Sequence, residues 1–252
     1  IAPVRAADVD AWDDTADVVV VGLGIAGTCA AIEAAEAGAD VLALERSMAG
    51  GGTPAHSGGI IYLGGGTPIQ EACGFEDSPE DMFAFLVAAC GPGADEAKIR
   101  PYCDESVDHY HWLVDHGLPF KAEFFEERDR EPPTDAGLVY SGGEDSWPFT
   151  HVARGVPRGH HPRHPDAAGG FIMERLLAAL EQTPARVRTG TRVDHLVVDD
   201  DGAVVGVIAV EDGARRAIRA TGGVVLTAGG FIYNPAMVEA HTPKAAHCVF
   251  YV

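Results

Sequence analysis

The chain has 252 residues, of which 46% are hydrophobic and 22% charged, and its formal net charge is −20. This composition is typical of a soluble globular protein with one large or two small domains, and the excess of acidic residues argues against nucleic acid or an anionic membrane as a partner. The five cysteines form no C-x-x-C pair, which favours reduced thiols and a cytoplasmic location. No apolar run reaches membrane-spanning length, and the N-terminus has no signal-peptide pattern.

The first elements predict a β-α-β unit that binds a dinucleotide. They are a buried strand Asp17–Val21, the motif Gly22-x-Gly24-x-x-Gly27, a helix over Ile25–Ala37 and a second strand Asp40–Leu44. Gly24 has no Cβ, so a pyrophosphate can approach the backbone at the helix N-terminus. Glu45 ends the second strand, where its carboxylate can accept hydrogen bonds from both adenosine ribose hydroxyls and would repel a 2′-phosphate.

The glycine-rich segment from Arg46 to Thr67 decides between the two common dinucleotides. A plain NAD domain would pass through another helix to a third strand. Here the chain reads RSMAGGGTPAHSGGIIYLGGGT, with many free amides and few side chains, so it can wrap an anion or a flat ring. The sequence therefore predicts FAD, with an NAD-binding domain as the disfavoured alternative.

Helices and short strands follow in chain order. The predicted helices run from the cap Ser78 to Cys90, over Ala94–His116 and over Ala168–Glu181. Three strands, Arg192–Val198, Ala203–Val210 and Ala214–Ala220, predict an antiparallel meander, and a fourth, Gly223–Leu226, leads into the glycine loop Ala228–Gly230. Asp199–Gly202 predicts a hairpin turn and not a calcium loop. The prolines around His160, His161 and His164 prevent their presentation on one helix face, so no metal site is predicted.

These elements together predict an α/β protein: a Rossmann-like FAD-binding domain with a parallel sheet plus an antiparallel β-meander. The predicted divisions are an N-terminal extension over 1–16, an FAD-binding domain over 17–240 and a tail over 241–252 where a substrate domain would begin. Within the domain lie the β-α-β unit and glycine loop at 17–66, a helical insertion at 78–182, and the meander with a third parallel strand at 186–231.

The motif GLGIAG, the following Glu45 and the segment GGTPAHSGG resemble the flavoprotein family of fumarate reductases, succinate dehydrogenases and 3-ketosteroid dehydrogenases. The runs SGGIIYLGGGTPIQEACGFEDSPEDMFAFL and YSGGED are similar to the 3-ketosteroid Δ4-dehydrogenase branch, and the resemblance covers about Asp17 to Ala240. It implies non-covalently held FAD, with the pyrophosphate near Gly24, the ribose on Glu45 and the adenine near Arg46 and the backbone of Val193. The complete predicted cofactor-binding set is Gly22, Gly24, Ile25, Ala26, Glu45, Arg46, Ser47, Gly52, Thr53, Ser57, Gly58, Gly59, Val193, Ala228, Gly229 and Gly230.

The resemblance also implies a reaction. It predicts an FAD-dependent dehydrogenase or reductase that acts on a carbon–carbon bond next to a carbonyl, with a steroid or another enone as its small-molecule substrate. A fumarate reductase-like enzyme is one alternative, and a stand-alone or truncated FAD-binding module without turnover is another. In the resembling enzymes the catalytic residues follow the TAGGF loop, so no catalytic residue is assigned here and the chain is expected to be the N-terminal part. The electron acceptor and a homo-oligomeric state are left open.

Overall fold

The computed structural model of the protein describes residues 2–127 and 133–247. The strands in this part are β1 (Val4–Arg5), β2 (Asp14–Val21), β3 (Val41–Leu44), β4 (Ile61–Tyr62), β5 (Phe124–Phe125), β6 (Leu138–Val139), β7 (Gly159–His160), β8 (Arg186–Arg188), β9 (Thr191–Val198), β10 (Val204–Glu211) and β11 (Ala214–Leu226). The helices are α1 (Ile25–Glu36), α2 (Pro68–Ala72), α3 (Pro79–Cys90), α4 (Glu96–Asp104), α5 (Ser106–Asp115), α6 (Gly169–Glu181) and α7 (Pro235–His241). The chain forms a first unit, Ile1–His56 with Leu176–Val252, and a second unit, Ser57–Arg175.

The first unit is built on a mixed sheet with the strand order β1-β9-β10-β11-β2-β3-β8. β2 is parallel to β3 on one side and to the C-terminal half of β11 on the other, while β9, β10 and β11 form an antiparallel meander. Val19, Leu42 and Leu44 are at most 1% exposed, as expected for parallel strands covered on both faces. The predicted α/β class, with a parallel sheet and a meander, is confirmed.

One strand of this sheet, β11, replaces two predicted ones. The sequence predicts a meander strand ending at Ala220 and a separate parallel strand starting at Gly223, but the structure has one continuous strand. Residues 214–219 pair antiparallel with β10, and residues 218–226 pair parallel with β2 on the other edge, with a shift of register in the pairing with β2 between Ala220 and Gly223. Thr221 lies at this shift and donates its hydroxyl to Asp17 at 2.8 Å. The irregularity therefore interrupts the pairing with β2 without ending the strand.

The sequence predicts one continuous helix over Ala94–His116, and this is also wrong. The structure has two helices, α4 and α5, with Glu105 between them. Ser106 begins α5 and is 1% exposed, and its hydroxyl accepts a hydrogen bond from the amide of Gly64 at 2.8 Å. Serine favours helix starts over helix interiors, so this anchored residue starts a new helix. The apolar spacing continues across the one-residue break and does not reveal it.

Residues before Asp17 take part in the sheet of the first unit. β1 pairs with β9, and Asp14–Ala16 open β2. The domain divisions drawn from the sequence stay a prediction.

Over residues 2–127 and 133–247, none of the helices has the length and hydropathy that a membrane crossing requires.

The second unit contains a buried ion pair at the centre of a polar network. Arg158 donates from Nε and Nη2 to the two carboxylate oxygens of Asp77 at 2.8 and 2.6 Å, and both side chains are fully buried. Asp77 also accepts hydrogen bonds from the amide of Gly65 and the side chain of Gln70. Burial opposes ionisation of Asp77, but these bonds and the guanidinium charge together lower the pKa of its carboxyl below 3.8.

His160 extends the same network. Its Nε2 lies 2.7 Å from the hydroxyl of Thr67 and its Nδ1 lies 3.1 Å from the carbonyl oxygen of Arg158. The side chain is fully buried, and burial lowers the pKa of His160 from 6.5 to about 4. The neutral ring therefore donates from Nδ1 to the carbonyl and accepts at Nε2 from the threonine hydroxyl.

Acid should destabilise the protein through His160. The unfolded histidine takes up a proton below pH 6.5, whereas the folded one does so only near pH 4, so the free energy of unfolding falls as the pH is lowered through this window. We expect His160 alone to contribute a loss of about 2 to 3 kcal/mol. Urea unfolding at about pH 7 and about pH 4.5, on the native protein and on His160→Asn, measures the difference. His151→Asn, an exposed matched control, should keep the native pH dependence, and an equal dependence in His160→Asn would contradict the prediction.

Candidate functional site

Two glycines in the turn between β2 and α1 are required by the fold itself. Gly22 has a φ of +99°, and a Cβ there would lie 2.6 Å from the carbonyl oxygen of Thr227. A Cβ at Gly27 would lie 1.9 Å from the carbonyl oxygen of Gly22, so only glycine lets α1 pack closely on the turn. Thr227 donates its hydroxyl to the carbonyls of Val21 and Gly22 at 2.9 Å each. It thereby ties the end of β11 to the turn.

Gly24 differs from these glycines because the surrounding protein does not require one there. Its φ is −77°, and the nearest described atoms to a Cβ at this position belong to Pro54, at 3.8 Å. The open space in front of Gly24 suits an external group that approaches the backbone. In the described part of the chain, α1 has no side-chain cap and no acidic residue in its first turn. The amides of Ile25 and Ala26 are therefore suited to an anion.

The carboxylate of Glu45 is held beside this turn. It is 9% exposed, and its two oxygens accept hydrogen bonds from the amides of Leu23 and Ser47, at 2.8 Å each. Each carboxylate oxygen can accept a second bond. The arrangement leaves capacity for ribose hydroxyls and fixes the acid in one orientation.

The predicted glycine segment after Glu45 starts against the same turn. The amide of Gly51 donates to the carbonyl of Leu23 at 2.7 Å. Gly52 has a φ of +53°, and a Cβ there would lie 3.6 Å from the Cα of Gly24. Thr53 opens a short 3-10 helix that ends at His56. The structure therefore brings Gly52 next to Gly24, while Arg46 lies on the surface after Glu45.

Val193 lies at a β-bulge in the meander. Val193 pairs with Ala209 and His195 with Ile208, which leaves Asp194 as the extra residue of β9. A bulge disrupts the ladder locally and leaves backbone groups unpaired, and bulges are frequent beside binding sites. The residue left unpaired here is Asp194, directly after Val193, and the backbone contact of Val193 with the adenine stays a prediction.

The loop after β11 is open. Gly229 has a φ of +85°, and no described atom lies within 4 Å of a Cβ built at Gly229 or Gly230. Ala228 and these glycines line a cleft of about 440 Å³ together with Phe231 and Tyr233. The loop can therefore accept a group of substantial size.

The remaining predicted site residues, Ser57, Gly58 and Gly59, belong to the second unit. Gly59 has a φ of +78°, and a Cβ there would lie 2.6 Å from the backbone of Ala168. The carbonyls of Gly58 and Ser57 accept hydrogen bonds from the amides of Ala168 and Gly169. Within that unit the segment is thus fixed against the start of α6.

Sequence reasoning missed two features of the first-unit site. Thr227 joins the two ends of the turn, and its only signal was its place directly before the glycine loop. The amide of Leu23 is a partner of Glu45, and backbone donors carry no sequence signal. The first follows from how β11 meets β2, and the second from how β2 meets β3.

The β-α-β turn, the open position at Gly24 and the fixed acid at Glu45 define a dinucleotide-binding protein. Residues 17–250 match the family described as FAD binding domain. The chain belongs to this family, and its cofactor is FAD. The predicted resemblance to flavoproteins and the predicted cofactor are confirmed.

Known proteins similar to this chain are dehydrogenases and reductases. The 3-oxo-5-alpha-steroid 4-dehydrogenase of Comamonas testosteroni is 33% identical over 208 residues, which are 81% of this chain and 39% of that protein. The crystal structure of 3-ketosteroid-delta4-(5alpha)-dehydrogenase from Rhodococcus jostii RHA1 is 53% identical, with a TM-score of 0.94 over 97% of this chain and 52% of that one. A flavocytochrome c3 fumarate reductase is 28% identical, with a TM-score of 0.77 over 94% and 37% of the two chains. The chain thus spans about half the length of these proteins or less.

Proposed function

We propose that this chain holds FAD for an oxidoreductase that acts on a carbon–carbon bond next to a carbonyl, with 3-ketosteroids as the substrate class. The observation that carries the proposal is the TM-score of 0.94 and the identity of 53% to the Rhodococcus enzyme, which was solved in complex with 4-androstene-3,17-dione. The sequence identity is far higher than the 28% shared with the fumarate reductase, which supports the steroid branch over that alternative.

The proposed cofactor contacts follow the cofactor from one end to the other. Glu45 takes the ribose, the amides of α1 take the pyrophosphate, and the open backbone of Gly24 admits it. The segments proposed for the adenine are Arg46–Ser47 and Val193, those for the pyrophosphate are Gly22 and Gly24–Ala26, and those towards the flavin ring are Gly52–Thr53, Ser57–Gly59 and Ala228–Gly230.

FAD supplies hydride transfer when it is bound. The part of this chain is to bind and orient the cofactor, because rigid placement of the reacting group removes much of the entropic barrier. Burial raises the pKa of Tyr62 well above its usual value, so this phenol keeps its proton at neutral pH. No catalytic role is assigned to Tyr62 or to the other tyrosines.

A substrate test separates the alternatives. The full-length protein, loaded with FAD, is mixed without oxygen with the 3-ketosteroid that corresponds to 4-androstene-3,17-dione reduced across its 4,5 bond. We expect the visible flavin absorbance to bleach and the unsaturated steroid to appear, whereas the matching 3-hydroxysteroid should have no effect. Reoxidation of the reduced protein by fumarate, without any response to the steroid, would support the fumarate reductase alternative. Tight FAD binding with no response to either compound would support a binding module.

We further propose a reducing, cytoplasmic location and self-association. The cysteines in the described residues are free thiols, which supports a reducing, cytoplasmic location. Cys248 lies outside those residues. The apolar side chains of Leu226, Tyr233 and Met237 are 60%, 77% and 40% exposed. This exposure supports self-association, since exposed apolar surface favours association.

A further inference from the structure

We propose that Met48 forms the outer wall of the adenine subsite and that its thioether packs on the face of the adenine ring. The proposal rests on the function proposed above, because it needs a bound adenylate group. It assigns to this chain a cofactor contact that the motifs do not contain.

Met48 is an unusual surface residue. It is 82% exposed, more than any other large apolar side chain in the described residues. Among the other methionines, Met82 and Met173 are at most 2% exposed and Met237 is 40% exposed. Its thioether is therefore accessible to a bound group, and burying it against that group would be favourable.

The backbone that leads into Met48 is fixed by two hydrogen bonds. The carbonyl of Glu45 accepts a hydrogen bond from the amide of Thr191, and the carbonyl of Ser47 accepts one from the amide of Gly190, at 2.8 Å each. A Cβ at Gly190 would lie 3.4 Å from the Sδ of Met48. The thioether therefore lies against a defined backbone position.

This position is next to the groups proposed for the adenosine half of FAD. Glu45, the ribose acceptor, precedes Met48 by three residues, a distance of at most about 10 Å along an extended chain. On the other side, Gly190 directly precedes β9, which leads to the bulge at Val193 and Asp194. A purine attached to a ribose on Glu45 is thus within reach of both segments. A thioether on an unbranched side chain suits the face of an aromatic ring.

Oxidative footprinting with adenosine diphosphate (ADP) as the probe tests the proposal, since ADP contains the adenine, ribose and pyrophosphate but no flavin. The protein is treated with dilute hydrogen peroxide in the dark, with and without saturating ADP, and sulfoxide is quantified at each methionine by peptide mass spectrometry. We expect Met48 and Met237 to oxidise in the free protein and Met82 and Met173 to resist. ADP should slow the oxidation of Met48 by about fivefold or more and leave Met237 unchanged.

A variant gives the second measurement. Met48→Ala should weaken the binding of ADP and of FAD equally, by about two- to tenfold, and Met48→Leu should weaken both less. Met237→Ala is the matched control and should not change ADP affinity. Isothermal titration calorimetry measures these constants.

The outcomes separate this proposal from the proposed function. Absence of ADP and FAD binding to the native protein would contradict the proposed function itself. Binding of both ligands with no protection of Met48 and no effect of Met48→Ala would overturn this proposal alone. Resistance of Met48 to peroxide in the ligand-free protein would also overturn it, because protein atoms would then cover the side chain.

Discussion

Gly24→Val is expected to abolish FAD binding while the protein stays folded. The side chain would fill the open space in front of Gly24, where the only described atoms within 4 Å of a Cβ are those of Pro54. The protein itself meets little strain, because φ is −77°. The pyrophosphate would lose its approach to the backbone. We expect FAD affinity to fall by more than about a hundredfold and the stability of the free protein to fall by about 1 kcal/mol or less.

Titration with FAD, followed by quenching of flavin fluorescence, measures the affinity, and thermal unfolding measures the stability. The matched control is Gly223→Val, because no described atom lies within 4 Å of a Cβ there either. Gly223 lies within β11, where valine is favoured, so this variant should bind FAD like the native protein. If Gly24→Val bound FAD with the affinity of the native protein, the pyrophosphate could not bind at this turn.

Arg158→Met is expected to be strongly destabilising. It leaves the carboxylate of Asp77 buried at 0% exposure without its guanidinium partner. Removing one member of a buried ion pair costs about 3 to 5 kcal/mol, which lowers the midpoint of thermal unfolding by about 6 to 20 °C in a chain of this size. The guanidinium helps to lower the pKa of Asp77 in the native protein, so the loss should be largest at neutral pH and should shrink as the pH falls through the ordinary carboxyl range.

The matched control for Arg158→Met lies four residues away. Arg154 is 52% exposed and pairs with Glu76 on the surface, so Arg154→Met should cost about 1 kcal/mol or less. Combining Arg158→Met with Asp77→Asn should restore part of the lost stability, because no uncompensated charge then remains. Urea unfolding at neutral pH measures the free energy of unfolding of each variant. Equal losses of stability in Arg158→Met and Arg154→Met would contradict the importance of the buried ion pair.

The β-α-β unit was predictable because its signals are local. The valines, the glycine turn and Glu45 follow one another within one stretch of chain, and α1 and β3 occur where their patterns indicate. The pattern could not, however, tell Gly22 from Gly24. The first is a glycine because Thr227 crowds it, and the second lies in open space. This distinction depends on a residue 205 positions away.

Features that depend on distant partners were not predictable in this way. Arg158 and Asp77 are 81 positions apart, and no local sequence pattern predicts that they pair. The single strand β11 reads as two strands because Thr221 and Gly222 interrupt its apolar run, while its neighbours on either side keep it extended. The break at Glu105 is hidden for the opposite reason, because helical spacing continues through it.

The pairing of β11 with β2 has a consequence for the order of synthesis. β2 leaves the ribosome early, but its partner in β11 follows about 200 residues later, as the bond between Thr227 and Gly22 shows with its separation of 205. At a translation rate of about 5 to 20 residues per second, this delay is about 10 to 40 s. The second unit emerges completely in that interval and can fold first. During most of this interval β2 lacks its partner β11 and β3 lacks its partner β8, so apolar strand edges stay unpaired and open to aggregation.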